Sequence, residues 1–326
     1  PEQNPGDFDG EALRPYNVRA DALLLAYRSV LIGFTPDAAR GVALVSVDPP
    51  LAGVEIDRNV PLSATACNDW RAELRADFAD PARLRLAGSF PAACGERTWP
   101  IAYAEPRRYD ERMLAGLWRE MGGTLAGSVR DGAAPGTPPT FTSVSPALSE
   151  VIREINKFSN NVMAQQLFLT LSLARGGKGT PEASREVLRR WLAERIGRHA
   201  EGAVIDNGSG LSRETRLSAQ QLARLLQSAW GSAVMPELVA SLPVSGTDGT
   251  LIRSKAPPGR AHLKTGSLRD VAGVAGYVLA SSGRRYVLVA IVNHPNANAA
   301  RPAIDALVQW VVQDGSAPLA SAETTN

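Results

Sequence analysis

Apolar positions change their rhythm partway along the chain. Between Asp48 and Pro106, short runs such as Gly53-Val54-Glu55-Ile56 and Arg83-Leu84-Arg85-Leu86-Ala87 alternate apolar with polar residues at period two. Turn-forming clusters separate them, among them Asp48-Pro49-Pro50 and Cys94-Gly95-Glu96. That combination predicts β-structure. From Tyr109 onward longer helical spacings take over, and the Gly- and Pro-rich stretch Asp131 to Pro139 predicts a flexible connection. The expected division is a mainly β domain over 1–106 and a second domain over 107–326.

Helices in the second part are marked at their ends. Thr180-Pro181 reads as an N-cap followed by Pro at the first helical position, with the pattern running to Gly197. Ser218 with Gln221 makes a capping box ahead of Leu222, Leu225 and Leu226, with Gly231 as the stop. Pro146 to Arg175 is helical in period at both ends, but Ser159-Asn160-Asn161 in its middle competes for backbone hydrogen bonds. Two helices meeting at a polar corner are expected there. Three strand candidates follow, His262 to Ser267, Val271 to Ala280 and Tyr286 to Asn293, with Gly283 in the second connection. An amphipathic helix, Pro302 to Gln313, is expected to lie across their sheet, and the tail from Gly315 to be disordered.

Composition narrows the partners. Lys plus Arg (35) nearly balances Asp plus Glu (33), so the net charge of +2 offers no electrostatic footprint for nucleic acid or an anionic membrane. No apolar stretch approaches the length of a bilayer span, since the longest candidate, Ala22 to Phe34, is broken by Arg28. The chain opens on Pro1 without an initiator Met or a signal peptide, and residues upstream are the expectation. Cys67 and Cys94 lie in polar, turn-rich settings, which favours a disulfide and an oxidising compartment over a pair of buried thiols. CxxC spacing is absent and the three histidines are scattered, so neither a metal site nor another cofactor is expected.

Two short motifs carry candidate chemistry. Lys264-Thr265-Gly266 falls within a predicted strand. A Gly there lets another backbone approach the strand, and a Lys and a hydroxyl beside that edge suit a peptide's terminal carboxylate. Ser159-Asn160-Asn161 is a weak signal alone. Together with Lys-Thr-Gly it matches two of the three elements of penicillin-binding proteins, Ser-x-x-Lys, Ser-Asp-Asn and Lys-Thr-Gly, with Asn160 in place of the Asp. Gly176-Gly177-Lys178-Gly179 lacks the spacing and the preceding strand of a phosphate loop, and Asp206-Asn207-Gly208 reads equally as a bare turn.

At this point the chain resembles the penicillin-binding protein 4 type of D-alanyl-D-alanine carboxypeptidase/endopeptidase, the S13 serine peptidases. The resemblance runs from about Gly6 to Gly315. It rests on Leu13-Arg14-Pro15-Tyr16-Asn17 with Asp21-Ala22-Leu23-Leu24, and on Cys67…Trp70…Cys94-Gly95. It also rests on Ile155-Asn156-Lys157-Phe158-Ser159-Asn160-Asn161 and Asp206-Asn207-Gly208-Ser209-Gly210-Leu211-Ser212-Arg213. Leu242-Pro243-Val244-Ser245-Gly246-Thr247-Asp248-Gly249-Thr250-Leu251 and His262-Leu263-Lys264-Thr265-Gly266 complete it.

The resemblance implies an α+β penicillin-recognising fold, an antiparallel sheet flanked by helices, with a mainly β inserted domain beside it. It implies that Ser159 helps shuttle a proton, and that Asn161 binds the substrate amide. Lys264 and Thr265 would bind the terminal D-Ala carboxylate, Gly266 would clear space, and the Ser267 N–H would supply half of an oxyanion hole. The implied partners are peptidoglycan stem peptides, with β-lactams as covalent inhibitors of the complete enzyme. The implied location is periplasmic.

One element departs from the pattern. No Ser in the chain has a Lys three residues on, and Ser254-Lys255 are neighbours whose side chains point apart on a helix. The nucleophile Ser and base Lys are therefore expected upstream of Pro1. Such a chain should also expose an unpaired sheet edge and be poorly soluble. Rival readings are a non-catalytic peptidoglycan- or β-lactam-binding relative, and an esterase or β-lactamase of the same fold.

Overall fold

A computed structural model describes residues 4–133 and 135–314. The tail from Gly315, expected to be disordered, lies outside the described residues. The chain forms two compact units, Pro1–Thr142 and Ser143–Asn326.

In the first unit, β1 (Ser29–Asp37), β2 (Val42–Asp48), β3 (Glu55–Ile56) and β4 (Asn59–Ser63) precede a single-turn helix, α1 (Trp70–Glu73). Then come β5 (Arg83–Leu84), β6 (Phe90–Pro91), β7 (Arg97–Ala102) and helix α2 (Pro106–Glu120). Five strands form one sheet in the order β6-β4-β2-β1-β7, and β3 pairs with β5 apart from it. Alternation decides which face is core. Val30, Ile32 and Phe34 of β1 are buried, whereas Leu31 between them is 46% exposed. Burying side chains of that size stabilises by roughly 1.5–3 kcal/mol each. Phe34 stacks on Phe90 and meets Trp70 edge-on, with ring centroids 5.4 and 5.5 Å apart. Cys67 and Cys94 are joined as a disulfide. Closing a loop of 27 residues contributes about 3–4 kcal/mol in the chain-entropy picture. The unit extends past the expected boundary at residue 106 because α2 buries Tyr109 and Met113 in this same core, and Tyr109 donates to the Ser29 carbonyl at 2.6 Å.

The second unit begins with α3 (Leu148–Phe158), α4 (Asn161–Leu173), α5 (Pro181–Ile196), α6 (Ala219–Trp230) and α7 (Met235–Ser241). It continues with β8 (Ala261–Leu268), β9 (Val271–Leu279), β10 (Arg285–Asn293) and α8 (Arg301–Gln313). The caps read from the sequence are formed. Thr180 accepts from the Ala183 N–H, and Ser218 and Gln221 make the reciprocal capping box. The sheet is antiparallel in the order β10-β9-β8, and β10 carries no further strand among the described residues. Leu263, Val278 and Leu288 pack with Ile304, Val308, Val311 and Val312 of α8. Those four helical positions fall at the spacing that makes one apolar face. Fixing α8 on that side leaves the alternate positions of β8, Lys264 among them, to the opposite face.

Candidate active site

Ser159 occupies the corner between α3 and α4 in the left-handed conformation, φ 57° and ψ 44°. A side-chain-bearing residue pays roughly 1–2 kcal/mol to sit there, so the corner has to be held from outside. Asn160 holds one side by capping α4, its Oδ1 accepting from the Met163 N–H at 3.0 Å. Lys157 holds the other. It is buried, and its Nζ donates to Asp248 Oδ2 at 2.6 Å, Asp248 Oδ1 at 2.8 Å and the Leu242 carbonyl at 2.6 Å. Asp248 Oδ1 also accepts from the Val244 N–H at 2.8 Å. Burial by itself would raise the Asp248 pKa; the hydrogen bonds from Lys157 and Val244, with the charge of Lys157, outweigh it and hold the carboxyl below its ordinary value. Asn156 adds a hydrogen bond to Ser241 Oγ at 2.8 Å. Gly249, at φ +54°, lies so close to α3 that a Cβ would stand 2.6 Å from the Lys157 carbonyl oxygen. The segment 242–249 is thus clamped to the turn of α3 that precedes Ser159.

The same segment blocks part of the outer edge of β8. The Leu263 N–H donates to the Pro243 carbonyl at 3.0 Å, and the Ala261 carbonyl accepts from the Ser245 N–H at 2.9 Å. Backbone groups of a strand alternate between its two edges, so Thr265 and Ser267 present theirs next along that same side. Among the described residues no strand lies beside them. The Thr265 carbonyl is taken by Lys264 Nζ at 3.0 Å, which leaves the N–H groups of Thr265 and Ser267 facing outward. Gly266 is exposed, and a Cβ there would meet only the Gly273 carbonyl oxygen, at 4.0 Å. Nothing within the fold demands glycine at this position. A bare edge is useful only to something that approaches it.

Lys264 crosses from β8 to the helical corner. Its Nζ donates to Ser159 Oγ at 2.7 Å, which joins the two sequence motifs. Burial pushes the Lys264 pKa down to about 8. An amine in that range can exchange a proton with the hydroxyl it touches. A lysine depressed on folding binds more protons when unfolded, so this group adds stability as pH rises from about 8 towards the ordinary lysine value. The chain has only four lysines, Lys157, Lys178, Lys255 and Lys264. With ¹³Cε-lysine labelling, the Lys264 resonance should titrate with a midpoint at about 8; a midpoint near ~10.4 refutes the desolvation.

The remaining expected residues fall around this pair. Asn161 opens α4 and its Nδ2 donates to the Ser209 carbonyl at 2.8 Å. The Asp206–Leu211 turn that it meets is knitted internally, with Asn207 Oδ1 accepting from both the N–H and Oγ of Ser209 at 3.0 and 2.8 Å. The Thr265 hydroxyl donates to Thr250 Oγ1 at 2.8 Å, and Ser267 Oγ accepts from Arg301 Nη2 at 2.8 Å. Lys157, Asp248, Thr250 and Arg301 were not singled out in the sequence. Lys157 and Asp248 lie inside stretches that carry the resemblance, but nothing local marks them as partners. Arg301 has no sequence signal beyond its place at the start of a helix.

The antiparallel sheet with helices packed against it, and the Ser159–Lys264 contact beside its open edge, agree with the penicillin-recognising fold. The characteristic sequence pattern of the D-Ala-D-Ala carboxypeptidase 3 (S13) family matches residues 2–314, and the chain belongs to that family. It is 29% identical over 233 residues to the D-alanyl-D-alanine carboxypeptidase of Actinomadura sp. (strain R39), covering 68% of this chain and 43% of that protein. It is 32% identical over 172 residues to Carboxypeptidase DacB of Mycolicibacterium smegmatis, covering 50% of this chain and 37% of the relative. The chain therefore aligns with less than half the length of either. Among solved structures, penicillin binding protein 4 of Haemophilus influenzae superposes with a TM-score of 0.62 at 19% identity, over 91% of this chain and 70% of that one. Its complex with a β-lactam gives 0.59 at 18% identity, over 87% and 70%. These superpositions bear on the fold.

Proposed function

We propose that these 326 residues carry the substrate-holding part of a serine-type D-Ala-D-Ala carboxypeptidase/endopeptidase acting on peptidoglycan stem peptides. The observation that carries this reading is the 2.7 Å contact between Lys264 and Ser159 next to the unfilled edge at Thr265 and Ser267. A peptide laid along that edge would receive main-chain hydrogen bonds from Thr265 and Ser267, as an added strand does. The Ser267 N–H would then point at the carbonyl under attack and stabilise its developing charge. Ser159 and Lys264 would pass the proton between nucleophile and leaving amine.

The mechanism is acylation of a serine by the penultimate D-Ala carbonyl, release of D-Ala, and hydrolysis of the ester. The nucleophile and its base would come from a Ser-x-x-Lys outside these residues, because the sequence contains none. The same absence favours a second reading, a module that binds D-Ala-D-Ala termini or β-lactams without turnover. The periplasm suits both, since the Cys67–Cys94 disulfide persists in an oxidising compartment.

Fluorescent penicillin and a D-Ala-D-Ala peptide test the reading together. The 326-residue chain should bind the peptide reversibly, with amide shifts at Thr265 and Ser267, and take no covalent label. The same chain preceded by its native upstream sequence should be labelled. Covalent labelling of the shorter chain would show that it has its own nucleophile. An unperturbed Thr265–Ser267 edge would remove the substrate groove. Rapid nitrocefin hydrolysis without D-Ala release would point to a β-lactamase instead.

A further inference from the structure

We propose that Arg301 is a specificity-determining residue of the Thr265–Ser267 edge, supplying the positive charge that selects ligands ending in a free carboxylate. The inference rests on the reading of that edge as a peptide-binding groove. Within such a groove Lys264 is the expected partner of a terminal carboxylate, but its geometry assigns it elsewhere. Side chains alternate along a strand, so Thr265 and Ser267 share one face of β8 and Lys264 belongs to the other. Lys264 Nζ is already engaged by Ser159 Oγ and the Thr265 carbonyl. A carboxylate seated between the two hydroxyls needs a cation on their own face.

Arg301 stands on that face. It opens α8, which packs against the sheet on the side of Leu263, two residues before Thr265 in the alternation. Its guanidinium is oriented by two contacts, Nη2 to Ser267 Oγ at 2.8 Å and Nε to Asn298 Oδ1 at 3.3 Å. Both acceptors are neutral, so among the described residues neither contact cancels the charge. A guanidinium has five N–H donors, and these contacts use two. The remaining donors lie in the plane of a fork whose shape matches a carboxylate. The contact also orients Ser267. Its oxygen accepts from Arg301, so its own hydrogen is left to donate to a ligand oxygen. The Thr265 hydroxyl donates to Thr250 at 2.8 Å, so the hydroxyl hydrogens left for a ligand are those of Ser267 and Thr250. Arginine, two hydroxyls and an outward N–H make a receptor for a carboxylate at the end of an extended peptide.

The test titrates the 326-residue chain with diacetyl-L-lysyl-D-alanyl-D-alanine and with its C-terminal carboxamide, by calorimetry and amide chemical shifts. The wild-type chain should prefer the acid over the amide by about tenfold or more. Arg301→Gln should reduce that preference to less than about threefold by weakening acid binding more than amide binding, and a circular dichroism spectrum and Tm like the wild type's show that the variant is folded. Arg301→Lys should restore part of it, because charge returns without the fork. A preference that survives Arg301→Gln overturns the proposal while the groove reading stands, as does equal binding of both peptides by the wild type. Loss of both peptides alike in Arg301→Gln overturns it too. If the wild-type chain binds neither peptide, the groove reading falls and the proposal with it.

Discussion

Lys264→Ala should lower the rate of penicillin acylation by about 10²–10⁴-fold in a protein that carries both this chain and an upstream Ser-x-x-Lys. The expectation follows from the 2.7 Å bond to Ser159 and from a burial that brings the Lys264 pKa down to about 8. Lys264→Arg separates proton transfer from simple charge. Arginine keeps the positive charge but does not give up its proton in the working pH range. If proton transfer is the role, Lys264→Arg acylates almost as slowly as Lys264→Ala, and the rise in rate towards pH 8 disappears. Stopped-flow fluorescence with a labelled penicillin reads both quantities. Near-wild-type acylation in the arginine variant would reduce Lys264 to an electrostatic part, and in the alanine variant would remove it from the reaction.

The second large effect is on stability. Asp248→Asn should cost about 2–3 kcal/mol, because the ammonium of Lys157, whose side chain is 6% exposed, keeps only neutral oxygens, the Leu242 carbonyl and the new amide, while solvent at the 35% exposed Asp248 side screens part of the loss. Removing both charges, with Lys157→Met and Asp248→Leu, should recover part of that loss, since the ammonium no longer has to be desolvated, while the Val244 N–H loses its acceptor. Calorimetry of the whole chain is the measurement, and the endotherm of the second unit is the one expected to move. A stability loss below about 1 kcal/mol in Asp248→Asn would mean that water reaches Lys157 after all. The sign with pH is also fixed. A carboxyl whose folded pKa is depressed stabilises above its unfolded value of 3.8, and that contribution fades as pH falls through the folded one. Asp248→Asn should lack this acid limb.

Much of this was legible along the chain because it is local. Thr180, Ser218 and Gln221 cap the helices they were expected to cap, and the ends of β8, β9 and β10 fall within a residue of those expected. The corner at Ser159 was visible as a polar interruption. Its left-handed backbone was not, because serine carries no preference for that conformation. In the first unit β1 and β2 were hidden, because Leu31 in the one and Leu44 in the other are apolar yet exposed and so blur the alternation. Strands of two residues, β3 and β5, are too short to have a period. At the site, the motifs disclosed Lys264 and Ser159 but not the clamp behind them. Lys157 and Asp248 stand 91 positions apart, and each looks locally like an ordinary surface charge. Pairings of that kind are set by tertiary packing, for which spacing along the chain holds no record.

The segment Pro243–Ser245 leaves only a short reach of β8 uncovered. An incoming chain can share rungs with Thr265 and Ser267, and beyond them it meets a place already taken. For a peptide bound as proposed, main-chain pairing would therefore stop growing after about two residues, and a longer ligand would gain nothing from its length along this edge. Discrimination would be thrown onto the end group and its stereochemistry, so such a groove would read where a peptide finishes rather than what it is made of.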